Sequence, residues 1–194
     1  MPYDVDYPNA EYHEIVPNLF MGGHVWMVGN HYKSGKHSTV SEDESWDYVV
    51  SAYIERYEQT HPQCDSRLVI FDDTEKGLDD KTWAKIRRAV DAVYDRWTAG
   101  QKILIRCQAG LNRSGMLTAL VLMRLGFTAD VAIRTLREKR SPDVLVNRAF
   151  ERYVHEREEE YWNKDIDDLV KFAINSDART DKLLEDVFKV DDNF

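Results

Sequence analysis

The stretch Ile103-Leu104-Ile105-Arg106-Cys107-Gln108-Ala109-Gly110-Leu111-Asn112-Arg113-Ser114-Gly115 decides the fold. Its opening aliphatic residues form a short run without alternation, the pattern of a buried strand in a mixed or parallel sheet. A loop follows, and Met116 to Leu125 then reads as a mostly apolar helix ended at Gly126. Cys107 therefore stands at the carboxyl end of a strand, where ligands bind in α/β sheets.

Working toward the C-terminus, Thr128 can cap a second helix through about Lys139, with Val131, Ile133 and Leu136 inward. Pro142 then forces a break. A further helix spans about Ala149 to Trp162, and an acidic amphipathic stretch runs from Ile166 to Phe188. Toward the N-terminus, Trp83, Ile86, Ala89, Val90, Val93 and Trp97 recur at intervals of three and four. They mark an amphipathic helix within Leu78–Trp97 that stops near Gly100. Tyr48–Ala52 and Leu68–Phe71 have the length and apolar character of buried strands. Glu14–Gly23 reads as one short strand ended by glycines, with Pro17 suiting an edge or turn. The polar run His31–Ser45 reads as a solvated loop. Ser34-Gly35-Lys36 within it is no nucleotide-binding loop, because Asn30 and His37 stand where glycine and Ser or Thr are required.

These elements predict an α/β fold: a single domain with a central mixed, mostly parallel sheet flanked by helices. Residues 1–160 are expected to form the catalytic domain, and residues 161–194 an acidic helical extension packed on or next to it. The length of 194 residues suits one domain, and a hydrophobic fraction of 43% argues for a packed globule. The net charge of −9 disfavours nonspecific binding to nucleic acid or anionic membrane, although a local basic cleft can persist. No apolar run approaches the roughly 20 residues that cross a bilayer. The acidic opening Met1-Pro2-Tyr3-Asp4 lacks the basic and apolar regions of a signal peptide, so Cys64 and Cys107 are expected as thiols in a reducing cytoplasm.

The chemistry concentrates at Cys107. A loop that opens a helix directs free backbone N–H groups and the positive end of the helix dipole inward, an anion cradle made by Gln108, Ala109, Gly110, Leu111, Asn112 and Arg113. Arg113, six residues after Cys107, can return across the loop and offer two parallel donors to a phosphate. The same groups favour thiolate over thiol. Ser114 either donates to the cysteine sulfur or caps the helix. A lone cysteine in an apolar run is usually an inert core residue. Yet Cys, Gly, Arg and Ser at this spacing coincide by chance on the order of once per thousand chains, which favours the nucleophile.

Cys107 through Ser114 resembles the C-x5-R-S/T signature of the dual-specificity branch of the protein tyrosine phosphatases. Ile15–Gly22 is similar to that branch's opening strand, and Arg140, Asn147 and Phe150 resemble its closing pattern, so the likeness covers about residues 14–155. The resemblance implies a protein tyrosine phosphatase-like fold and two-step displacement through a phosphocysteine on Cys107, without metal or cofactor. It also implies phosphorylated protein as substrate and Ser114 as the hydroxyl that assists sulfur's departure. A general acid is implied roughly thirty residues upstream, where Phe71-Asp72-Asp73-Thr74 lies; Asp73 is favoured and Asp72 is the alternative. The family commonly has histidine before the nucleophile, whereas this chain has Arg106, which can point toward the loop or into solvent. Two other functions stay open: an RNA 5′-phosphatase, suggested by Gly110-Leu111-Asn112-Arg113 and opposed by the acidic net charge, and a phosphate-binding module without turnover. A phosphoinositide phosphatase would carry lysines in the loop, where Gln108, Ala109, Leu111 and Asn112 stand.

Overall fold

The computed structural model describes residues 7–28, 31–34, 46–53 and 65–161. Five strands form the main sheet in the order β1-β2-β7-β5-β6: β1 (Tyr12–Val16), β2 (Leu19–Gly23), β5 (Tyr48–Ser51), β6 (Asp65–Leu68) and β7 (Ile103–Cys107). The pairs β2/β7, β7/β5 and β5/β6 are parallel and β1/β2 is antiparallel, the mixed, mostly parallel sheet that the sequence predicts. β7 lies at its centre with every residue buried, as a strand of unbroken aliphatic character must. β3 (Val25–Val28) and β4 (His31–Ser34) form a separate antiparallel pair.

Helices α1 (Asp80–Thr98), α2 (Arg113–Arg124), α3 (Ala129–Lys139), α4 (Arg148–Glu156) and α5 (Glu158–Tyr161) complete the described chain. In α2 every residue from Arg113 to Met123 is buried, which is why its sequence is apolar all round. It packs on β2 and β7 and is contacted by α1, α3, α4 and α5. α1 buries the six residues that the periodicity singles out, Trp83 through Trp97, and each large apolar side chain so buried contributes roughly 1.5–3 kcal/mol. Asp79 caps α1 by accepting from Thr82 N at 2.7 Å, and Gly100, at φ +82°, ends it in the left-handed region. Thr128 caps α3 as expected. Along β7 and β5 the residues alternate between two clusters. Ile103, Ile105, Cys107, Tyr48 and Val50 join the helix-side core, while Leu104 and Val49 join a smaller cluster with Trp46, Tyr12 and Phe20.

Four expectations need correction. Glu14–Gly23 is a hairpin rather than one strand: Pro17 lacks a donor, Asn18 takes φ +64°, and β1 turns into β2 there. Trp97 Nε1 donates to Pro17 O at 2.8 Å and fastens that turn to α1. Leu68–Phe71 is not a strand buried on both faces. β6 ends at Leu68 on the sheet edge, and beyond it Val69 and Phe71 face inward while Leu68 and Ile70 are 40% and 46% exposed. His31–Ser34, read as loop, is β4; the remainder of that run lies outside the described residues. The last helix divides at Arg157 into α4 and α5. Cys64 and the acidic stretch from Ile166 to Phe188 also lie outside the described residues.

Candidate active site

Parallel pairing sets the depth of the site. Gly23 is opposite Cys107 and Ser51 opposite Arg106, so β2, β5 and β7 end together at the carboxyl edge of the sheet. From there residues 108–112 loop into α2. The loop's carbonyls from Ala109 to Asn112 have partners. Arg140 Nε donates to Gly110 O at 3.2 Å and Nη2 to Ala109 O at 3.4 Å, Leu145 N donates to Leu111 O at 3.3 Å, and Met116 N to Asn112 O at 2.8 Å. Its N–H groups, from Gln108 to Asn112, donate to nothing among the described residues. Carbonyls drawn outward leave the N–H groups on the inner side, as an anion cradle requires.

Two glycine positions permit this shape. Gly110 adopts φ +69°, and a Cβ there would lie 2.5 Å from Arg140 Nη2 and 2.7 Å from the Gly22 carbonyl group. A Cβ on Gly23 would collide with the Ala109–Gly110 peptide, so bare backbone of β2 is the surface against which the loop is seated.

Cys107 is a buried free thiol whose Sγ lies 3.2 Å from Ser114 Oγ. Asn112, in the N-cap position of α2, makes no capping bond, and Ser114 on the first turn is directed at sulfur. The helix N-terminus therefore keeps its own N–H groups available. Arg113 is buried, its Nε has no partner among the described residues, and its guanidinium lies 5.0 Å from the centre of the Tyr53 ring.

Asp73 is brought to the same loop. Asn112 Nδ2 donates to its carboxylate at 3.0 and 3.3 Å, and Asn147 Nδ2 donates to Oδ1 at 2.9 Å. Asn147 N–H in turn donates to Asn112 Oδ1 at 3.0 Å, and Asn147 Oδ1 caps α4 on Ala149 N. Asp72 is exposed and outside this network. Gln108 is half-buried at the start of the loop, and Ala109, Gly110, Leu111 and Asn112 are buried.

Arg106 takes neither of the directions considered from sequence. It is 3% exposed, on the face of β7 opposite Cys107, with Nε donating to Ser51 Oγ at 3.0 Å. Its charge acts on two neighbours. Burial, aided by Arg106 and Arg113, pushes His24 down to about 3, so that ring is neutral. Burial pushes Glu11 up to about 7 against the opposing pull of Arg106 and Arg140. Burial also lowers Arg140 to about 10, opposed by Cys107 and Glu11.

Sequence reasoning did not find His24 and Tyr53. His24 N donates to Cys107 O at 3.1 Å, and its ring lies 5.8 Å from that of Tyr53. Both follow strands that pair with β7, and the signal that would have found them is the register: residues that end a neighbouring strand level with Cys107 border its loop. Among the described residues no group of His, Cys, Asp or Glu could hold a metal ion, and no helix is long and apolar enough to cross a membrane.

The sheet order together with the loop from β7 into α2 defines a protein tyrosine phosphatase-like fold. Residues 32–160 match the family described as dual specificity phosphatase, catalytic domain, and the chain belongs to that family. No curated protein matches it. Among solved structures it is similar to human DUSP28, with 18% identity, TM-score 0.61 and coverage of 78% of this chain and 95% of that one. A mouse putative dual specificity phosphatase, solved with zinc tungstate, has 18% identity, TM-score 0.62 and coverage of 82% and 93%. The human tyrosine phosphatase-like serine/threonine/tyrosine-interacting protein has 17% identity, TM-score 0.60 and coverage of 77% and 97%. At such identities the likeness establishes the fold.

Proposed function

We propose that this phosphatase hydrolyses phosphate monoesters on proteins, phosphotyrosine first and phosphoserine and phosphothreonine second, through a phosphocysteine on Cys107. The observation that carries the reading is the polarity of the loop: its carbonyls from Ala109 to Asn112 are engaged outside, and its N–H groups donate to nothing among the described residues, beside a thiol and the buried Arg113. That arrangement favours a tetrahedral dianion and the thiolate together.

In the first step the Cys107 thiolate attacks phosphorus in line, an S–P bond forms, the P–O bond to the substrate breaks, and Asp73 gives its proton to the leaving oxygen. In the second step water attacks phosphorus, Asp73 takes its proton, and the S–P bond breaks with inorganic phosphate as product. The Ser114 hydroxyl supplies a hydrogen bond to the departing thiolate. Arg113 and the N–H groups of residues 108–112 hold the three equatorial oxygens throughout. We assign the chemistry to residues 1–160, with residues 161–194 as an extension, and place the enzyme in the cytoplasm because a thiolate nucleophile needs reducing surroundings.

A second reading, a phosphate-binding module without turnover, is favoured by one feature: Arg106 stands where similar enzymes have histidine. The two are separated by p-nitrophenyl phosphate hydrolysis in chelator-containing buffer, comparing wild type with Cys107→Ser. Turnover that vanishes in the variant is expected and supports cysteine catalysis. Phosphate binding by a wild type that does not turn over would move the assignment to the binder.

A further inference from the structure

Behind the loop, on the side away from phosphate, a continuous hydrogen-bonded chain runs into the N-terminal segment. His13 Nδ1 lies 2.8 Å from Arg140 Nη1, and His13 Nε2 lies 3.1 Å from Asn9 Oδ1. A guanidinium has only donors, so His13 Nδ1 must be the nitrogen bearing the lone pair. The ring is then neutral with its hydrogen on Nε2, which donates to Asn9 Oδ1. Arg140 Nη1 also donates to Ala10 O at 2.9 Å, while its Nε and Nη2 reach Gly110 O and Ala109 O. No carboxylate forms a salt bridge with Arg140 among the described residues. Its orientation comes from one imidazole and three carbonyls, and the two loop carbonyls are the very ones whose outward direction sends N–H groups inward.

We propose that His13, as its neutral Nε2–H form, is a positioning residue for the Cys107 loop, fixing the Arg140 guanidinium that draws the Ala109 and Gly110 carbonyls outward. This rests on the phosphatase reading above and deepens it. A protonated ring would set an N–H against the guanidinium, losing the bond and opposing two cations. The charge that acts on His13 is that of Arg140; Asn9 is neutral, and the residue paired with His13 on β2 is Met21. Arg140 itself faces Glu11 and Cys107. Burial first and Arg140 second hold the His13 pKa below the ordinary imidazole value. The contact is therefore intact above the unfolded imidazole value and is lost as pH falls through the depressed one.

The test compares wild type, His13→Ala and His13→Asn. Asparagine restores an acceptor near the Nδ1 position and cannot become charged. Sodium tungstate affinity is read by calorimetry, and kcat/KM for p-nitrophenyl phosphate is read from about pH 8 to about pH 5, with thermal melts to verify folding. Loss of one hydrogen bond should weaken tungstate binding by H13A about fivefold at neutral pH, with H13N largely rescuing it. The ratio of H13N to wild-type kcat/KM should rise as pH falls. Tungstate binding by H13A equal to wild type, or a ratio that stays constant with pH, would overturn the inference and leave the phosphatase reading standing. A wild type that neither binds tungstate nor turns over substrate would overturn both.

Discussion

Asp72 and Asp73 are neighbours in sequence with different surroundings, and the difference can be measured. Asp73 is held by two side-chain amides at the rim of the Cys107 loop, whereas Asp72 is exposed. A general acid matters most when the leaving oxygen is basic. Asp73→Asn should therefore lower kcat by about 10² to 10⁴ on an unactivated aryl phosphate and by less on p-nitrophenyl phosphate, while Asp72→Asn stays near wild type. Reversal of the two phenotypes would transfer the role to Asp72. At this scale the sequence already placed Cys107, Arg113 and Ser114 together at one strand–loop–helix, because their spacing is local and needs no tertiary knowledge. It favoured Asp73 but kept Asp72 as the alternative, because their separation depends on Asn112 and on Asn147, the latter 74 residues from Asp73. It also could not direct Arg106, whose partner Ser51 is 55 residues away on another strand.

Three elements meet at Asn147: the segment carrying Asp73, the loop between β7 and α2, and the N-terminus of α4. One side chain donates to Asp73 and accepts from Ala149 N, while its backbone N–H donates to Asn112 Oδ1. Asn147 is fully buried, so deleting it strands its partners without water to replace it. Asn147→Ala should cost about 2–4 kcal/mol by denaturant unfolding, combining a lost cap with a broken buried network. Its effect on kcat should not add to that of Asp73→Asn, because both act through one carboxylate. Full additivity in the double variant would mean that Asn147 serves only α4. Elements with a strong period were legible: α1 and α3 bury the residues that their spacing selects. Those decided by pairing were not. Pro17-Asn18 is itself a turn signal, but the pairing of β1 with β2 across it decides the hairpin, and the early end of β6 follows from its position at the sheet edge, which no local pattern encodes.

Over the whole molecule, the buried ionisable groups near the loop set opposing limits on stability. His24 is neutral in the folded chain and its pKa is lowered to about 3, so its contribution is present above the unfolded imidazole value and lost as pH falls toward about 3. Glu11 has the opposite sign. Its pKa is raised from 4.5 to about 7, chiefly by burial, with Arg106 and Arg140 offsetting part of the rise. Stability from this group is therefore complete below 4.5 and is lost as pH rises to about 7, where the folded protein must hold a half-buried carboxylate. Over the same interval the carboxylates ionise and the chain approaches its formal net charge of −9 at pH 7, in which Glu11 is already counted. Glu11→Gln removes the titration while keeping shape and hydrogen-bonding atoms. Its melting temperature should exceed that of wild type above pH 7, and the difference should shrink as pH falls toward 4.5. Circular dichroism melts across that interval measure it directly. A difference that did not vary with pH would show that Glu11 acts by shape alone.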